Sequence, residues 1–231
     1  MTLVFIHGAG CTEAAFHYQR KAFADALFLR LPGRGTAGDT SSIAAFADAV
    51  EQRLEAEQVE NAILVGSSMG GAIALELAAQ RSPALAGCVL IGSGAKMRVA
   101  PAMFENFAND FPRAVDTLLP FFFHTANQPH IAMMREQLHE VGQAQTIADF
   151  RACDAFDRTV SLETINLPIF ALTGSQDRLM PPKYALMLAE RIPGAKAQIL
   201  PDIGHLAMIE APDQINRALQ AFAQDIANDR R

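Results

Sequence analysis

The sequence predicts an α/β protein with a doubly wound, mostly parallel sheet of about six strands. Three observations predict it: short apolar runs alternate with stretches of helical periodicity, each apolar run ends in a glycine-containing loop, and 50% of the residues are hydrophobic. Repeated strand and helix units form parallel sheets with right-handed crossovers and helices on both faces. At 231 residues, we expect a single domain that spans residues 1–231.

The first half of the chain contains three predicted strand and helix pairs. The strands are β-branched or aromatic runs, and the helices repeat apolar residues at a spacing of three or four. The strands are predicted over Thr2–Ile6, Ala26–Leu31 and Ala62–Val65. The helices are predicted over Glu13–Asp25, from the capping run 39–42 through Leu54, and from the loop 66–71 to about Gln80.

The second half continues the alternation but is interrupted once. Strands are predicted at Cys88–Ile91, Ile169–Thr173 and Ala197–Leu200, and helices at Lys183–Arg191 and about Asp213–Ile226. Residues 96–158 stand where a single crossover helix would suffice, and they hold more than half of the 15 phenylalanines. A structureless loop of this length is rare, so we expect a helical insertion that lies over the carboxyl edge of the sheet as a lid.

Charge and cysteine content exclude some functions. The chain has 19 basic and 25 acidic residues and no Lys/Arg cluster, so nucleic acid is not an expected partner. The apolar run Leu3–Ile6 is too short for a signal peptide or a membrane span, so no membrane association is expected. Three widely spaced cysteines indicate structural thiols in the cytoplasm. We expect a monomer or a homodimer.

Residues 66–70 read Gly-Ser-Ser-Met-Gly, a G-x-S-x-G pattern between a predicted strand and a predicted helix. A direct turn from strand to helix strains the central residue and leaves no space for a Cβ at the flanking positions, which explains the glycines. Ser68 would then be exposed at the helix N-terminus as a nucleophile, with the Met69 N–H available to a developing oxyanion. The competing interpretation is a tight structural turn.

A serine nucleophile needs a base and a carboxylate that orients it. His205 follows the last predicted strand, and Asp177 follows the strand before it, so both lie at the carboxyl edge of the sheet. Each could by itself be an ordinary loop residue, but their placement on consecutive strand ends favours a joint role. The order Ser68, Asp177, His205 is the order that this kind of fold uses.

The loop at residues 7–10, His-Gly-Ala-Gly, supplies the other half of the predicted site. Ligands of doubly wound sheets gather where neighbouring strands have crossovers that leave in opposite directions. With the strand order 2-1-3-4-5-6, that point lies between the first and third strands, which carry this loop and Ser68. The Ala9 N–H is then the natural second oxyanion donor, and His7 is expected to fix the loop.

Together, five motifs resemble the α/β-hydrolase fold superfamily, in particular its serine hydrolases of the esterase and lipase type. They are HGAG at 7–10, LPGRG at 31–35, GSSMGG at 66–71, GSQD at 174–177, and IGH at 203–205 followed by EAP. The resemblance implies Ser68 as nucleophile, His205 as base, Asp177 as orienting acid, and Ala9 and Met69 as oxyanion donors.

The chain also departs from that family. The usual sheet has eight strands, two of them before the HG loop, whereas here this loop begins at His7. We therefore expect six strands, with the first strand nearer to the sheet edge. Ser68 stands where dehalogenases and epoxide hydrolases need a carboxylate, which argues against both activities.

Residues 33–38 match a G-x-G-x-x-G pattern, but the third glycine precedes the helix cap instead of lying in the helix. We therefore expect no nucleotide. The chain has no phosphate-binding Lys motif and no closely spaced metal ligands, so neither a cofactor nor a metal is expected.

The predicted function is a serine hydrolase that cleaves carboxylic esters of small, fairly apolar molecules through an acyl-enzyme. The apolar residues of the insertion are candidate substrate contacts, or alternatively the insertion's own core: Phe104, Phe107, Phe121, Phe122 and Met133. Two alternatives stay open. The same fold also supports carbon–carbon bond hydrolases, lyases and perhydrolases, and a slow triad could serve a ligand-sensing protein that signals through its lid.

Overall fold

The computed structural model describes residues 1–125 and 127–229. Within them, six strands form one fully parallel sheet in the order β2-β1-β3-β4-β5-β6. The strands are β1 (Thr2–Ile6), β2 (Leu27–Leu29), β3 (Ala62–Ser67), β4 (Leu85–Ile91), β5 (Ile169–Gly174) and β6 (Lys196–Leu200). The predicted fold class and strand order are confirmed. β1 lies one position from the edge, where β2 covers it.

Helices cover both faces of the sheet. Outside the insertion they are α1 (His17–Ala22), α2 (Ile43–Ala56), α3 (Met69–Gln80), α8 (Lys183–Arg191), α9 (Ala207–Glu210) and α10 (Pro212–Asp229), with 3-10 turns at Glu13–Phe16 and Thr159–Thr164. Strand side chains alternate between two apolar cores: Leu64 belongs to the core that includes α2, α3 and α8, whereas Ile63 and Val65 belong to the core that includes α10. Such burial on both faces explains the continuously apolar strands. Among the residues that the structure describes, no helix combines the length and the apolar character that a membrane crossing requires.

Residues 96–158, called the helical insertion below, lie between β4 and β5. They form α4 (Pro101–Asn109), α5 (Phe111–Phe122), α6 (Gln128–Val141) and α7 (Gln143–Ala155). The two ends meet: Lys96 and Asp157 form an isolated antiparallel bridge, and the Arg158 N–H donates to the Ala95 carbonyl at 2.7 Å. The Arg158 guanidinium also pairs with the buried carboxylate of Glu76 on α3. The insertion therefore leaves and rejoins the sheet at one point.

Some element boundaries differ from the prediction. The single helix predicted over Glu13–Asp25 is wrong, because a 3-10 turn precedes α1, which ends where Phe23 leaves helical geometry. β2 is shorter than predicted, since the Leu31 N–H donates to His7 Nε2 at 3.3 Å instead of to a strand. The short helix α9 was not predicted, as its four residues are too few to show a period.

Gly70 provides a test of the central packing of the fold. A Cβ at Gly70 would lie 2.0 Å from the Ile6 carbonyl oxygen, a backbone atom that cannot move aside. We expect Gly70→Ala to lower the free energy of unfolding by about 3 kcal/mol or more, measured by urea denaturation. Gly194→Ala is the control, because a Cβ there meets nothing within 4 Å and only the positive φ of +74° is strained. That variant should lose about 1 kcal/mol, and equal losses in the two variants would contradict the packing argument.

Candidate active site

Ser68 lies at the turn between β3 and α3. Its backbone has φ 52° and ψ −115°, a conformation that side-chain-bearing residues rarely adopt and that costs on the order of 1–3 kcal/mol. The Ser68 N–H donates to the Ile91 carbonyl at 2.8 Å, and its own carbonyl accepts from Gly71 at 2.9 Å. The end of β4 and the first turn of α3 therefore hold the strained residue in place.

Two glycines make this turn possible. A Cβ at Gly66 would lie 2.2 Å from the Gly70 carbonyl oxygen, and one at Gly70 would meet the backbone of Ile6 and His7. The helix N-terminus thus packs directly on the backbone of β1 and β3. Ser68 itself is half-buried and lines a cavity above the sheet edge.

His205 and Asp177 come together as the sequence suggested. The His205 Nδ1 and the Asp177 Oδ2 are 2.8 Å apart, and both side chains are almost fully buried. The other carboxylate oxygen of Asp177 accepts the N–H groups of Leu179 at 2.9 Å and Met180 at 2.8 Å. An ionised carboxylate can only accept a hydrogen bond, so the proton between Asp177 and His205 is on the His205 Nδ1. The His205 Nε2 is then free to accept a proton.

Gly92 packs beneath this pair and was not predicted as part of the site. Its φ is +55°, and a Cβ there would lie 3.1 Å from both the Asp177 Oδ2 and the His205 Nδ1. A side chain at this position would therefore crowd both groups. The ring of Phe122, at the end of α5, stacks over His205 at a centroid distance of 6.3 Å.

The loop after β1 lies against the serine. A Cβ built on Gly8 would come within 3.3 Å of the Ser68 Cβ, so the two backbones are in close contact. Within residues 1–125 and 127–229, neither the Ala9 N–H nor the Met69 N–H has a hydrogen-bond partner. Ala9 lines the same cavity as Ser68, and Met69 is the first residue of α3, whose dipole favours negative charge.

His7 is completely buried beneath that loop. Its Nδ1 lies 3.0 Å from the Gly8 carbonyl, to which it donates, and its Nε2 accepts the Leu31 N–H. Burial, reinforced by the nearby Arg34 guanidinium, lowers the pKa of His7 to about 3. The neutral ring therefore connects β1 to the segment after β2, the role expected of it from the sequence.

Glu210 is a further contributor that the sequence alone did not reveal. One carboxylate oxygen accepts the Gly204 N–H at 2.7 Å, and the other accepts the N–H groups of His124 at 2.9 Å and Thr125 at 2.7 Å. This carboxylate joins the loop that carries His205 to the segment after α5. A Glu five residues after the His gives no period or spacing signal by which to recognise such a contact.

The cavity above Ser68 has a volume of about 410 Å³ and is lined mostly by apolar side chains. Of the predicted contacts, Phe107, Phe121 and Phe122 line it. Phe104 and Met133 do not: Met133 packs against the apolar core that the insertion shares with the sheet and α10. Lining side chains that were not predicted include Met97, Val99, Met103, Leu118, Phe150, Leu179, Met180 and Leu206.

Two thiols also line the cavity, those of Cys11 and Cys153. Burial raises the pKa of Cys11 to about 12, and burial likewise raises the pKa of Cys153. A thiol is nucleophilic only as the thiolate, so neither cysteine is a nucleophile at neutral pH.

A parallel sheet with a serine at a strained strand-to-helix turn, and a His and an Asp on the following strand ends, is typical of the α/β hydrolases. The sequence profile of the alpha/beta hydrolase family matches residues 3–218. The chain belongs to this family, and it is a hydrolase of the esterase type.

Known relatives agree with that assignment. A pimeloyl-[acyl-carrier protein] methyl ester esterase of Aromatoleum aromaticum is 26% identical over 91% of this chain and 93% of its own. A solved thermophilic esterase superposes with a TM-score of 0.87 at 25% identity, covering 97% of this chain and 90% of that one. Est816, described as an N-acyl homoserine lactone degrading enzyme, gives a TM-score of 0.84 at 26% identity, covering 96% and 93%.

The lowered pKa of His7 predicts a pH-dependent stability. The unfolded chain takes up a proton at this residue below its ordinary pKa of 6.5, whereas the folded chain resists until pH about 3. Stability is therefore fully present above pH 6.5 and is lost as the pH falls towards 3. Replacing His7 by Gln removes this contribution, so the free-energy difference between wild type and His7→Gln should shrink by about 2 kcal/mol between pH 7 and 4.5.

Urea denaturation at the two pH values measures this difference. His124→Gln is the matched control, because it makes the same replacement at an exposed position. Equal slopes for wild type and His7→Gln would show that His7 titrates normally in the folded protein.

Proposed function

We propose that this protein hydrolyses carboxylic esters of small, fairly apolar molecules, with Ser68, His205 and Asp177 acting as a catalytic triad. The observation that carries the proposal is that Ser68 and His205 line one apolar cavity while the His205 Nδ1 lies 2.8 Å from Asp177. Esterases among the relatives support the same reaction class.

In the proposed reaction, the Ser68 Oγ attacks the ester carbonyl and its proton passes to the His205 Nε2. Asp177 stays ionised, keeps the Nδ1–H tautomer and stabilises the imidazolium that forms. The negative oxygen of the tetrahedral intermediate accepts the Ala9 and Met69 N–H groups, which lack other partners among the described residues. The imidazolium then gives its proton to the leaving alcohol, and an acyl-enzyme remains.

Water completes the cycle. His205 removes a proton from a water molecule, the resulting hydroxide attacks the acyl-enzyme, and the Ser68 oxygen leaves with that proton. Carboxylic acid and alcohol are the products, and every step uses only groups of this chain and water. The free and buried Cys11, Cys88 and Cys153 are compatible with the proposed cytoplasmic location, since they need no oxidising compartment.

The apolar character of the cavity supports the proposal that the bound part of the substrate is an apolar acyl or alcohol group. Its walls come from Phe, Met and Leu side chains of the insertion and of the loops after β5 and β6, so an alkyl or aryl group would be removed from water there. The relatives include one enzyme named for a methyl ester and one described as degrading an N-acyl homoserine lactone. A methyl ester and such a lactone therefore belong in a substrate panel.

Replacing Ser68 tests the reaction. Ser68→Ala should lower kcat for p-nitrophenyl esters by at least about 10³-fold and abolish labelling by a fluorophosphonate probe, and Asp177→Asn should lower kcat by about 10³–10⁴-fold. Ser93→Ala is the matched control, because Ser93 also follows a strand of the sheet, β4, but does not line the cavity. The proposal fails if the folded wild-type protein is labelled elsewhere or not at all.

The same measurements separate the alternatives. Labelling of Ser68 without turnover of any ester or lactone would favour carbon–carbon bond cleavage, lyase or perhydrolase chemistry. A single slow turnover with tight retention of the product would favour a ligand sensor. In the described part of the insertion, Phe121 is the only exposed large apolar side chain, and the Arg178 guanidinium lies over its ring, so no broad docking patch supports a sensor.

Filling the cavity tests where the apolar group binds. Ala114 on α5 lines the cavity and is 7% exposed, so Ala114→Leu should remove space for the distal part of a long chain. We expect kcat/KM for p-nitrophenyl octanoate to fall about tenfold or more, with little change for the acetate. Ala132→Leu makes the same change on an exposed position of α6 and should leave both rates unchanged. Equal losses of kcat/KM for the octanoate and the acetate would show that the acyl chain of the substrate does not bind beside Ala114.

A further inference from the structure

A buried ion pair joins the helical insertion to the loop that carries Ala9. Asp149 lies on α7 and Arg34 on the segment after β2, and both side chains are completely buried. We infer that Asp149 and Arg34 are positioning residues for the proposed reaction: they hold the loop at residues 8–11 so that the Ala9 N–H meets the oxyanion. This inference rests on the proposed function.

The hydrogen bonds of Asp149 point to this role. Its Oδ2 accepts the Gly10 N–H at 2.9 Å, while its Oδ1 accepts from an Arg34 Nη at 3.1 Å and from Gln145 Nε2 at 2.8 Å. Gly10 directly follows Ala9, so the carboxylate fixes the peptide group next to the proposed oxyanion donor. The Asp149 carboxylate contacts the backbone of Gly10, so this contact does not depend on the side chain of residue 9.

Arg34 holds the same loop from the other side. Its Nε donates to the Cys11 carbonyl at 3.1 Å, and its Nη1 donates to the Pro32 carbonyl at 2.8 Å. The Arg34 and Asp149 side chains thus contact two different peptide groups of the loop, one as donor and the other as acceptor. A turn held at both a carbonyl and an N–H cannot rotate without breaking one of these bonds.

The helix before α7 adds a third contact. Gln137 on α6 is buried, and its Oε1 accepts the Thr12 N–H at 3.0 Å and the Thr12 hydroxyl at 3.3 Å. Two neighbouring helices of the insertion therefore contact residues 10–12. These residues lie beyond the end of β1 at Ile6, so the sheet's own hydrogen bonds do not reach them.

The choice of a buried ion pair also favours a positioning role. Apolar side chains of similar volume often give equal or greater stability than a buried pair, so stability alone does not explain the charges. Apolar side chains would, however, leave the Gly10 N–H and the Cys11 carbonyl without these partners. The charged groups are needed because they bond to the backbone of the loop.

The principal test is Asp149→Asn, which keeps the shape of the side chain and removes its charge. We expect kcat for p-nitrophenyl esters to fall about 10- to 100-fold with KM changed less than about threefold, since the loss falls on the transition state. Asp116→Asn is the matched control, because Asp116 is an exposed carboxylate of the insertion that pairs with Arg135 at 2.8 Å. Thermal unfolding confirms that each variant is folded at the assay temperature.

A second variant keeps the test decisive if Asp149→Asn does not fold. Arg34→Met with Asp149→Leu removes both charges together and leaves no unpaired buried ion. This double variant should fold yet show the same selective loss of kcat. A folded variant of either kind that retains kcat within about twofold of wild type overturns the inference, because the pair would then only stabilise the fold.

Amide hydrogen exchange separates this inference from the proposed function. In wild type the Gly10 amide should be protected, and in Asp149→Asn it should exchange at least about tenfold faster, while Asp116→Asn resembles wild type. If wild type hydrolyses no ester, the proposed function fails, and the exchange rates alone decide: unchanged protection of Gly10 overturns the positioning role, and faster exchange supports it.

Discussion

The close packing of the N-terminus of α3 on the backbone of β1 is the constraint on which the site depends. Gly70 has no space for a side chain because the Ile6 carbonyl oxygen occupies it, and Gly66 is equally crowded by Gly70. This contact forces Ser68 into a positive φ of 52° and brings Gly8 against its side chain. One backbone contact thus sets the position of the serine and its distance to the loop that carries Ala9.

Polar contacts position the remaining groups of the site around Ser68. Strand ends alone place loops at the correct edge of the sheet but do not fix their conformation. Three carboxylates fix it, since Asp177 accepts two N–H groups of its own loop, Glu210 joins the His205 loop to the segment after α5, and Asp149 holds Gly10. Each carboxylate accepts backbone N–H groups of a loop and thereby restricts its conformation.

The sequence was sufficient to predict the order of the strands, the turn that carries Ser68 and the contact between Asp177 and His205, because these depend on local patterns. Apolar runs, a G-x-S-x-G turn and strand-end loops are all visible within short windows. Contacts such as Arg34 with Asp149 join segments far apart in the chain, and an Asp on a helix looks like any solvated residue. The sequence also did not show which side of each insertion helix faces the cavity. Phe104 and Phe107 were therefore predicted together, although of these two only Phe107 lines the cavity.

The helices of the insertion differ in what they contribute to the site. α4 and α5 supply most of the insertion's part of the cavity wall, including Met103, Phe107, Leu118 and Phe122, whereas α6 supplies none of it and instead gives Gln137 to the loop after β1. α7 does both, with Phe150 in the wall and Asp149 on Gly10. Substitutions in α4 and α5 can therefore change the shape of the cavity without moving the loop, since the buried polar contacts that hold the loop come from the other two helices.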